Sequence, residues 1–435
     1  MLSPTRLVTL LTLALALVYG CGSGGGGGGD TPTVDDSPNL ESLEPLTGSE
    51  VRYLAFQIFE GTLDPAIPFD NELVYTPKEA IADMVNEIIS TIGVTGGEKT
   101  RLAFMLGPIS FDHTDAEARQ IIDDGFEIAI SEGIAVGFHI DDAMFWRKRV
   151  DLIGDPANVE WSDFDGTPAA NLLLDWTNPP ARMVFNAAAI QAEVTRRARD
   201  VIGSHIASHV ENLRLLGKED LFAGVIAGWE SHMGQDTATA DRVGFHALAN
   251  RGFGAGAPPA DVNAEIASIV SEFIALWAGG LAQGGVNSER IYTHVAFLSR
   301  ERFDELDAPQ GVNYEDVLDS APSSQRPAVA FNSFARPGFS TYPVSGVFDQ
   351  IQEELALHGD PWWASAEGTN IVPGDPVEDS GMSMENYLAR SFNHGAALVT
   401  LFGWGIGGQL VPDNPFRLET ENPESIDTYR EFLSQ

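Results

Sequence analysis

The sequence has almost no cysteine. Cys21 is the only one in 435 residues, which excludes an intramolecular disulfide and any thiolate-rich zinc site. Basic residues are also scarce: 25 lysines and arginines stand against 63 acidic residues, for a net charge of −38. Such a chain repels nucleic acid, whose binding depends on cations that neutralise phosphates. The acidity serves solubility and says little about substrate. No Gly-x-Gly-x-x-Gly turn follows the first apolar β-rich run, which argues against a dinucleotide site. No repeat of solenoid or propeller length recurs. The apolar stretch at 7–18 is too short for a membrane-spanning helix, which needs about 20 apolar residues.

That stretch has the layout of a secretory signal. Arg6 precedes it, and it ends in Val18-Tyr19-Gly20-Cys21. The end resembles a bacterial lipobox, with Tyr19 where a smaller residue is usual. The resemblance implies that residues 1–20 are a lipoprotein-type signal peptide. Cys21 then becomes a lipid-bearing N-terminus that anchors the chain to membrane in the cell envelope. Residues 21–50 are expected to be a flexible tether, nearly all glycine over 22–29 and then polar, acidic and proline-containing.

The body, 51–435, exceeds a typical domain of about 100–200 residues. It reads as one (β/α)8 TIM barrel. Short apolar β-rich runs at 51–59, 101–106, 134–140, 222–229, 291–298, 328–331, 362–366 and 397–404 predict eight parallel strands buried on both faces. Helical patterns separate them, at 79–92, 114–132, 187–216, 261–281, 344–358, 383–393 and 425–433. Ile81, Met84, Val85, Ile88 and Ile89 recur at helical spacing, and Thr114 with Glu117 forms a capping-box pattern. A doubly wound open sheet is the alternative. Long loops follow strands one, three and four, at 60–78, 141–186 and 231–260. They carry Phe145, Trp146, Trp161 and the rigid Asp175-Trp176-Thr177-Asn178-Pro179-Pro180. Trp176 and Asn178 are expected to meet substrate there, because loops after the strand C-termini build the site in this fold.

Charge at the end of a buried strand needs a purpose. The fourth run ends Trp229-Glu230-Ser231-His232 and the seventh ends Ala366-Glu367-Gly368. Strands four and seven face each other across such a barrel, so both carboxylates are expected in one pocket. Two facing carboxyls suit glycoside cleavage: one protonates the leaving oxygen, the other attacks the anomeric carbon or activates water. Trp229 supplies apolar surface beside Glu230 at the substrate site, Trp362, Trp363 and Trp404 offer flat faces for sugar rings, and His232 lies close enough to contact ligand. The third run ends His139-Ile140-Asp141-Asp142, where His139 and Asp141 share a face. They and Asp142 are expected to bond sugar hydroxyls. His139 and Asp141 are also metal-ligand types, although no His-x-His marks the first strand. Weaker candidates are Gln57, Glu60, Asn332, Arg336 and Tyr342. His294 reads as a core histidine, and His205 and His209 as part of a charged solvent face over 193–211.

Glutamates ending strands four and seven, with Trp404 ending strand eight, resemble the clan A retaining glycoside hydrolases. The resemblance implies that Glu230 is the acid/base and Glu367 the nucleophile, acting without cofactor or metal on a poly- or oligosaccharide. An asparagine usually precedes the acid/base in that clan. Trp229 stands there, so the grip on the sugar 2-hydroxyl is missing or comes from elsewhere. Two other readings remain: a non-catalytic carbohydrate-binding lipoprotein, and a metal-dependent hydrolase centred on His139 and Asp141.

Overall fold

The computed structural model describes residues 51–59, 73, 75–169, 172–173, 181–236, 243–305, 314, 325–341, 345–368, 383–404 and 423–435. Residues 1–50, expected to be signal and tether and including Cys21, lie outside these residues, as do Glu60, Trp176, Asn178 and Tyr342.

Eight parallel strands alternate with helices. They are β1 (Arg52–Phe59), β2 (Thr100–Ile109), β3 (Ala135–Ile140), β4 (Phe222–Ala227), β5 (Ile291–Thr293), β6 (Gly338–Ser340), β7 (Trp363–Gly368) and β8 (Ala396–Leu401). Consecutive strands pair from β1 to β5 and from β6 to β8, and β8 pairs with β1. Four hydrogen bonds close the remaining gap between β5 and β6: Arg336 N to Ile291 O (2.9 Å), Thr293 N to Arg336 O, Val295 N to Gly338 O and Ser340 N to Val295 O (each 3.0 Å). The two strands meet so closely that a Cβ on Gly338 would stand 2.0 Å from the Thr293 carbonyl oxygen. The result is a (β/α)8 barrel rather than an open sheet.

Alternation along each strand sorts the core into two layers. Inside the ring lie Tyr53, Ala55, Ala103, Met105, Ala135, Ala223, Ile226, Tyr292, Ala364, Ala366, Ala397 and Leu398. Many are alanines, since eight strands leave room for little more. The intervening residues, such as Leu54, Phe56, Leu102, Phe104, Val136 and Phe138, face outward under the helices.

The outer ring is formed by α1 (Lys78–Ile92), α2 (Asp115–Glu132), α3 (Ala188–Arg196), α4 (Ser204–Leu215), α5 (Val262–Gln283), α6 (Ser345–Leu357), α7 (Met384–Asn393) and α8 (Pro423–Leu433). The capping box expected at α2 is present, Thr114 accepting from the Glu117 amide and Glu117 from the Thr114 amide. The helix expected over 187–216 is divided: α3 passes into a π-helical segment, Arg197–Gly203, and then into α4. Among the described residues α5 is long and apolar enough to cross a membrane. Its Ile269, Val270, Phe273, Ile274, Trp277 and Leu281 are buried in the core, which accounts for its composition.

One strand is not where the sequence pattern places it. Residues 328–331 do not form the sixth strand; Pro327–Ala330 is a 3-10 helix, and β6 follows at Gly338–Ser340. A run of four apolar residues carries no period that separates strand from helical turn. Pro327 at its start favours the turn. The true strand, Gly-Phe-Ser, holds a single large apolar residue and gives no pattern to read.

Candidate active site

Parallel strands deliver their C-terminal residues to one end of the barrel. Here they bring together Gln57 from β1, His139 from β3, Glu230 after β4, His294 after β5, Ser340 from β6 and Glu367 from β7. Two local distortions aim the glutamates. Past β4 the chain turns through Gly228 (φ 96°) and reaches Glu230 with φ 49°. A glutamate in the left-handed region is uncommon, and such strain is kept where surrounding contacts hold it. Asp142 holds this turn, accepting from the Trp229 amide at 3.3 Å and from the Ser231 hydroxyl. In β7 the distortion is a bulge. Val399 and Leu401 of β8 pair with Ser365 and Gly368, while Phe339 and Ser340 of β6 pair with Ser365 and Glu367. The extra residue breaks the strict alternation. Ser365 faces outward to the Tyr387 hydroxyl at 3.0 Å, Ala366 points into the ring, and Glu367 also reaches the ring interior. Bulges at barrel rims commonly re-aim a side chain in this way.

A continuous buried chain of polar groups crosses the barrel mouth. Gln57 Oε1 lies 3.2 Å from His139 Nδ1, His139 Nε2 lies 3.1 Å from His294 Nδ1, and His294 Nε2 lies 2.8 Å from Ser340 Oγ. The Ser340 hydroxyl donates to Glu230 Oε1, which is 3.8 Å from His294 Nε2. Each neutral imidazole has one donor and one acceptor nitrogen, so the chain has two polarities. With Glu230 ionised, each member donates toward it: His139 to His294, His294 to Ser340, Ser340 to the carboxylate. The Gln57 amide then turns its NH2 toward His139. The Gly228 carbonyl, 3.2 Å from His139 Nε2, can only accept, so it favours this polarity, in which Nε2 carries the proton. Burial keeps both imidazoles neutral, pushing His139 down to about 3 and His294 well below its ordinary value. Glu367 lies on the same cluster, with one carboxylate oxygen within 4.8 Å of ring nitrogens of both His139 and His294.

Behind the mouth lies a buried set of charges. Burial, then the neighbouring Asp142 charge, raises Asp141 to about 8. Burial raises Glu160 to about 7, against hydrogen bonds from the Trp161, His246 and Ala247 amides. Arg182 is held down to about 10 by burial, while Asp142, Asp141 and Glu160 favour its charge. The same guanidinium adds to burial in pushing His232 down to about 3. A further buried imidazole, His113, follows the end of β2. Its Nδ1 accepts from the Ser110 amide at 3.1 Å, and burial followed by the Arg197 charge lowers it from 6.5 to about 3.

His113 has a measurable consequence. Its folded value lies below the unfolded one, so its contribution to stability is full above pH 6.5 and is lost as pH falls toward 3. Between pH 7 and about pH 4 the native protein is expected to lose on the order of 2–3 kcal/mol more than His113→Asn. Urea midpoints at the two pH values measure the difference. Parallel pH dependence of the two proteins would refute the assignment.

The sequence-derived site residues divide by location. Glu230, Glu367, His139 and Trp229 meet at the mouth. Trp229 lies flat on His139, with ring centroids 4.2 Å apart and planes at 8°; that ring face is occupied by the imidazole. His232 is buried beneath, its Nδ1 against the Glu230 carbonyl. Asp141 and Asp142 turn inward: Asp141 Oδ1 accepts from the Met144 and Phe145 amides at 3.0 and 2.9 Å, and Asp142 braces the β4 turn. Trp404 packs edge-on against the outward-facing Phe56 at 5.1 Å.

Others are corrected. Asn332 precedes β6, where its side chain accepts from the Phe334 amide at 2.9 Å. That is the N-terminal end of the barrel, opposite the glutamates; the misplaced sixth strand had put it at the mouth. Trp362 and Trp363 open β7 and so lie at that same far end, Trp363 bonding the His394 carbonyl at 2.8 Å. Trp146 packs within its own loop, against the Ala181 carbonyl, and Trp161 stacks on the His246 ring of the loop after β4. His294 is fully buried with both ring nitrogens hydrogen-bonded, as expected of a core histidine, and its partners are residues of the mouth. Ser340 was hidden by the misplaced strand; only its position after a glycine and an aromatic in a short β-prone run pointed to it.

No protein-family model matches the sequence, and no curated protein is similar to it. Among solved structures, the catalytic domain of β-amylase from Paenibacillus polymyxa is 8% identical, with 89% of this chain and 99% of that one covered and a TM-score of 0.49. A GH5-4 broad-specificity endoglucanase from an uncultured bacterium is 9% identical over 88% of this chain and 92% of its own, with a TM-score of 0.42. A family 5 xyloglucanase from Paenibacillus pabuli is 12% identical over 88% and 98%, with a TM-score of 0.43. No residue correspondence follows from likenesses at this level.

Proposed function

We propose that this chain is a retaining glycoside hydrolase in which Glu230 is the acid/base and Glu367 the nucleophile. The observation that supports it is the meeting of two buried glutamates, from opposite sides of the ring, on His294: Glu230 Oε1 is 3.8 Å from its Nε2, and a Glu367 oxygen lies within 4.8 Å of one of its ring nitrogens. In the reaction Glu230 protonates the leaving glycosidic oxygen as the bond to the anomeric carbon breaks. A Glu367 oxygen bonds that carbon and gives a glycosyl-enzyme. Water then attacks, Glu230 takes its proton, and Glu367 leaves. The Ser340–His294–His139 chain can donate toward Glu230, which favours the ionised carboxylate that takes the proton from water in the second step.

The test is a panel of oligosaccharides and activated aryl glycosides incubated with the purified chain, with the configuration of the first product followed by NMR. Turnover with retained anomeric configuration is expected. Oligosaccharide binding without turnover would replace this reading with that of a carbohydrate-binding protein. A metal-dependent hydrolase is favoured by one observation, the clustering of His139, His294 and Glu367 within 4.8 Å. It groups His139 with residues other than Asp141, whose carboxylate faces its own loop. Activity abolished by chelator and restored by a divalent ion would select it.

The proposal extends to location: the protein is exported and held in the cell envelope by lipid on Cys21. Cys21→Ser is expected to move the protein from the membrane to the soluble fraction or to leave the signal uncleaved. Unchanged membrane partition and processing would remove the anchor.

A further inference from the structure

We infer that the outer helices carry a divalent metal site of zinc type, formed by Asp123, His205 and His209. Asp123 lies on α2 and the histidines one turn apart on α4. Residues four apart share a helix face, so α4 presents both imidazoles to α2. Each turns the same ring nitrogen to the same atom: His205 Nε2 is 2.8 Å and His209 Nε2 2.7 Å from Asp123 Oδ1. The three ligand atoms lie within 4.8 Å of one another. A carboxylate has two oxygens and could receive the two rings separately. Both rings instead present their Nε2 beside one carboxylate oxygen, which groups three ligand atoms closely enough for one ion to be placed among them.

The surroundings fit. Zinc takes imidazole nitrogen and carboxylate oxygen at about 2.0–2.2 Å, which sets tetrahedral ligands about 3.3 Å apart. The observed pairs need to open by roughly half an ångström, an adjustment within the reach of side chains. They are free to make it, being 26%, 23% and 36% exposed for His205, His209 and Asp123. The remaining positions face solvent and would be filled by water. His209 is steadied by stacking on Phe126, with centroids 4.7 Å apart and planes at 6°.

The π segment sets the phase of α4. It adds a residue to the turn, so every later side chain is rotated by about 100° relative to an uninterrupted α-helix. Close packing on α5 locks it there. A Cβ on Gly280 would stand 2.6 Å from the Ala198 Cβ, one on Gly203 would stand 2.9 Å from the Leu281 carbonyl oxygen, and one on Gly284 would stand 2.8 Å from the Gly203 Cα. π segments of this kind are frequent at functional sites. Here the rotation brings His205 and His209 onto Asp123.

The experiment is zinc titration of the purified chain against a chromophoric chelator, with cobalt absorption as a signature of nitrogen and oxygen ligation. Thermal midpoints are read with and without zinc. One ion per chain is expected, with a zinc-dependent rise in midpoint. Asp123→Asn, His205→Ala and His209→Ala should each weaken binding at least about 10-fold, and the double histidine variant should abolish both the stoichiometric binding and the thermal response. Asp123→Asn keeps the side-chain shape, so it remains informative if a histidine variant folds poorly. His294→Ala serves as the control for the barrel mouth and should leave zinc binding unchanged. The proposal is overturned if the native chain binds no stoichiometric zinc. It is also overturned if binding survives in the double histidine variant, or disappears in folded His294→Ala.

Discussion

Glu367→Gln is expected to leave a folded protein without measurable turnover. The amide keeps the shape and volume of the side chain, so the bulge in β7 and the alanine-lined ring below it should persist. It cannot form the glycosyl-enzyme, because a neutral amide is a poor nucleophile and offers no charge to an oxocarbenium-like transition state. Removing a member of the catalytic set costs about 10⁴–10⁶-fold in a hydrolase that acts through a covalent intermediate. Initial rates with the best substrate from the panel measure the loss, and circular dichroism with a thermal midpoint checks the fold. A folded variant that turns over substrate at the native rate ends the assignment of Glu367.

Glu230→Gln should fail in a different way. Its loss is expected to depend on the leaving group, because the glutamine cannot supply a proton. With an unactivated oligosaccharide the first step should slow by roughly 10²–10⁴-fold, the usual contribution of general acid help. With an aryl leaving group that departs as a stable phenolate, the first step should remain close to native. Deglycosylation, which needs the base, then becomes slow, so a burst of phenol followed by a slow steady state is expected. A loss of equal size for both classes of substrate would show that Glu230 is not the proton donor. The Ser340 hydroxyl can still donate to a glutamine carbonyl oxygen, so the chain through His294 should stay in place.

The contrast between the two variants also separates the competing readings. A metal-dependent hydrolase would lose activity in Glu367→Gln through a lost ligand, but with no burst in Glu230→Gln. A binding protein would show neither effect, only altered affinity for oligosaccharide.

The sequence by itself determined the alternation of strands and helices, for which a closed barrel was the reading and an open sheet the alternative. Seven of the eight strands announced themselves as apolar runs, because strands buried on both faces have no polar side to interrupt them. The helices between them showed a 3.6-residue period, and α2 showed its cap. Glu230 and Glu367 were legible because charge ending a buried run stands out against it. Everything that depends on contacts between distant segments was decided by the tertiary structure. The 3-10 turn at Pro327–Ala330 and the short β6 exchanged places with expectation because closure against β5, not local apolarity, selects the strand. That exchange carried Asn332 to the far end of the barrel and brought Ser340 to the mouth. His294 looked like a core histidine in a linear reading and became a link between Glu230 and His139 only once β3, β4 and β5 lay side by side. The bulge that turns Glu367 inward is a mismatch in register between β7 and its two neighbours, and no single strand encodes it. Likewise, the histidines of α4 meet Asp123 through a π turn held by glycines of α5. Periodicity along one segment is local and survives in the sequence, whereas register, closure and the phase of one helix against another are set by packing among segments far apart in the chain.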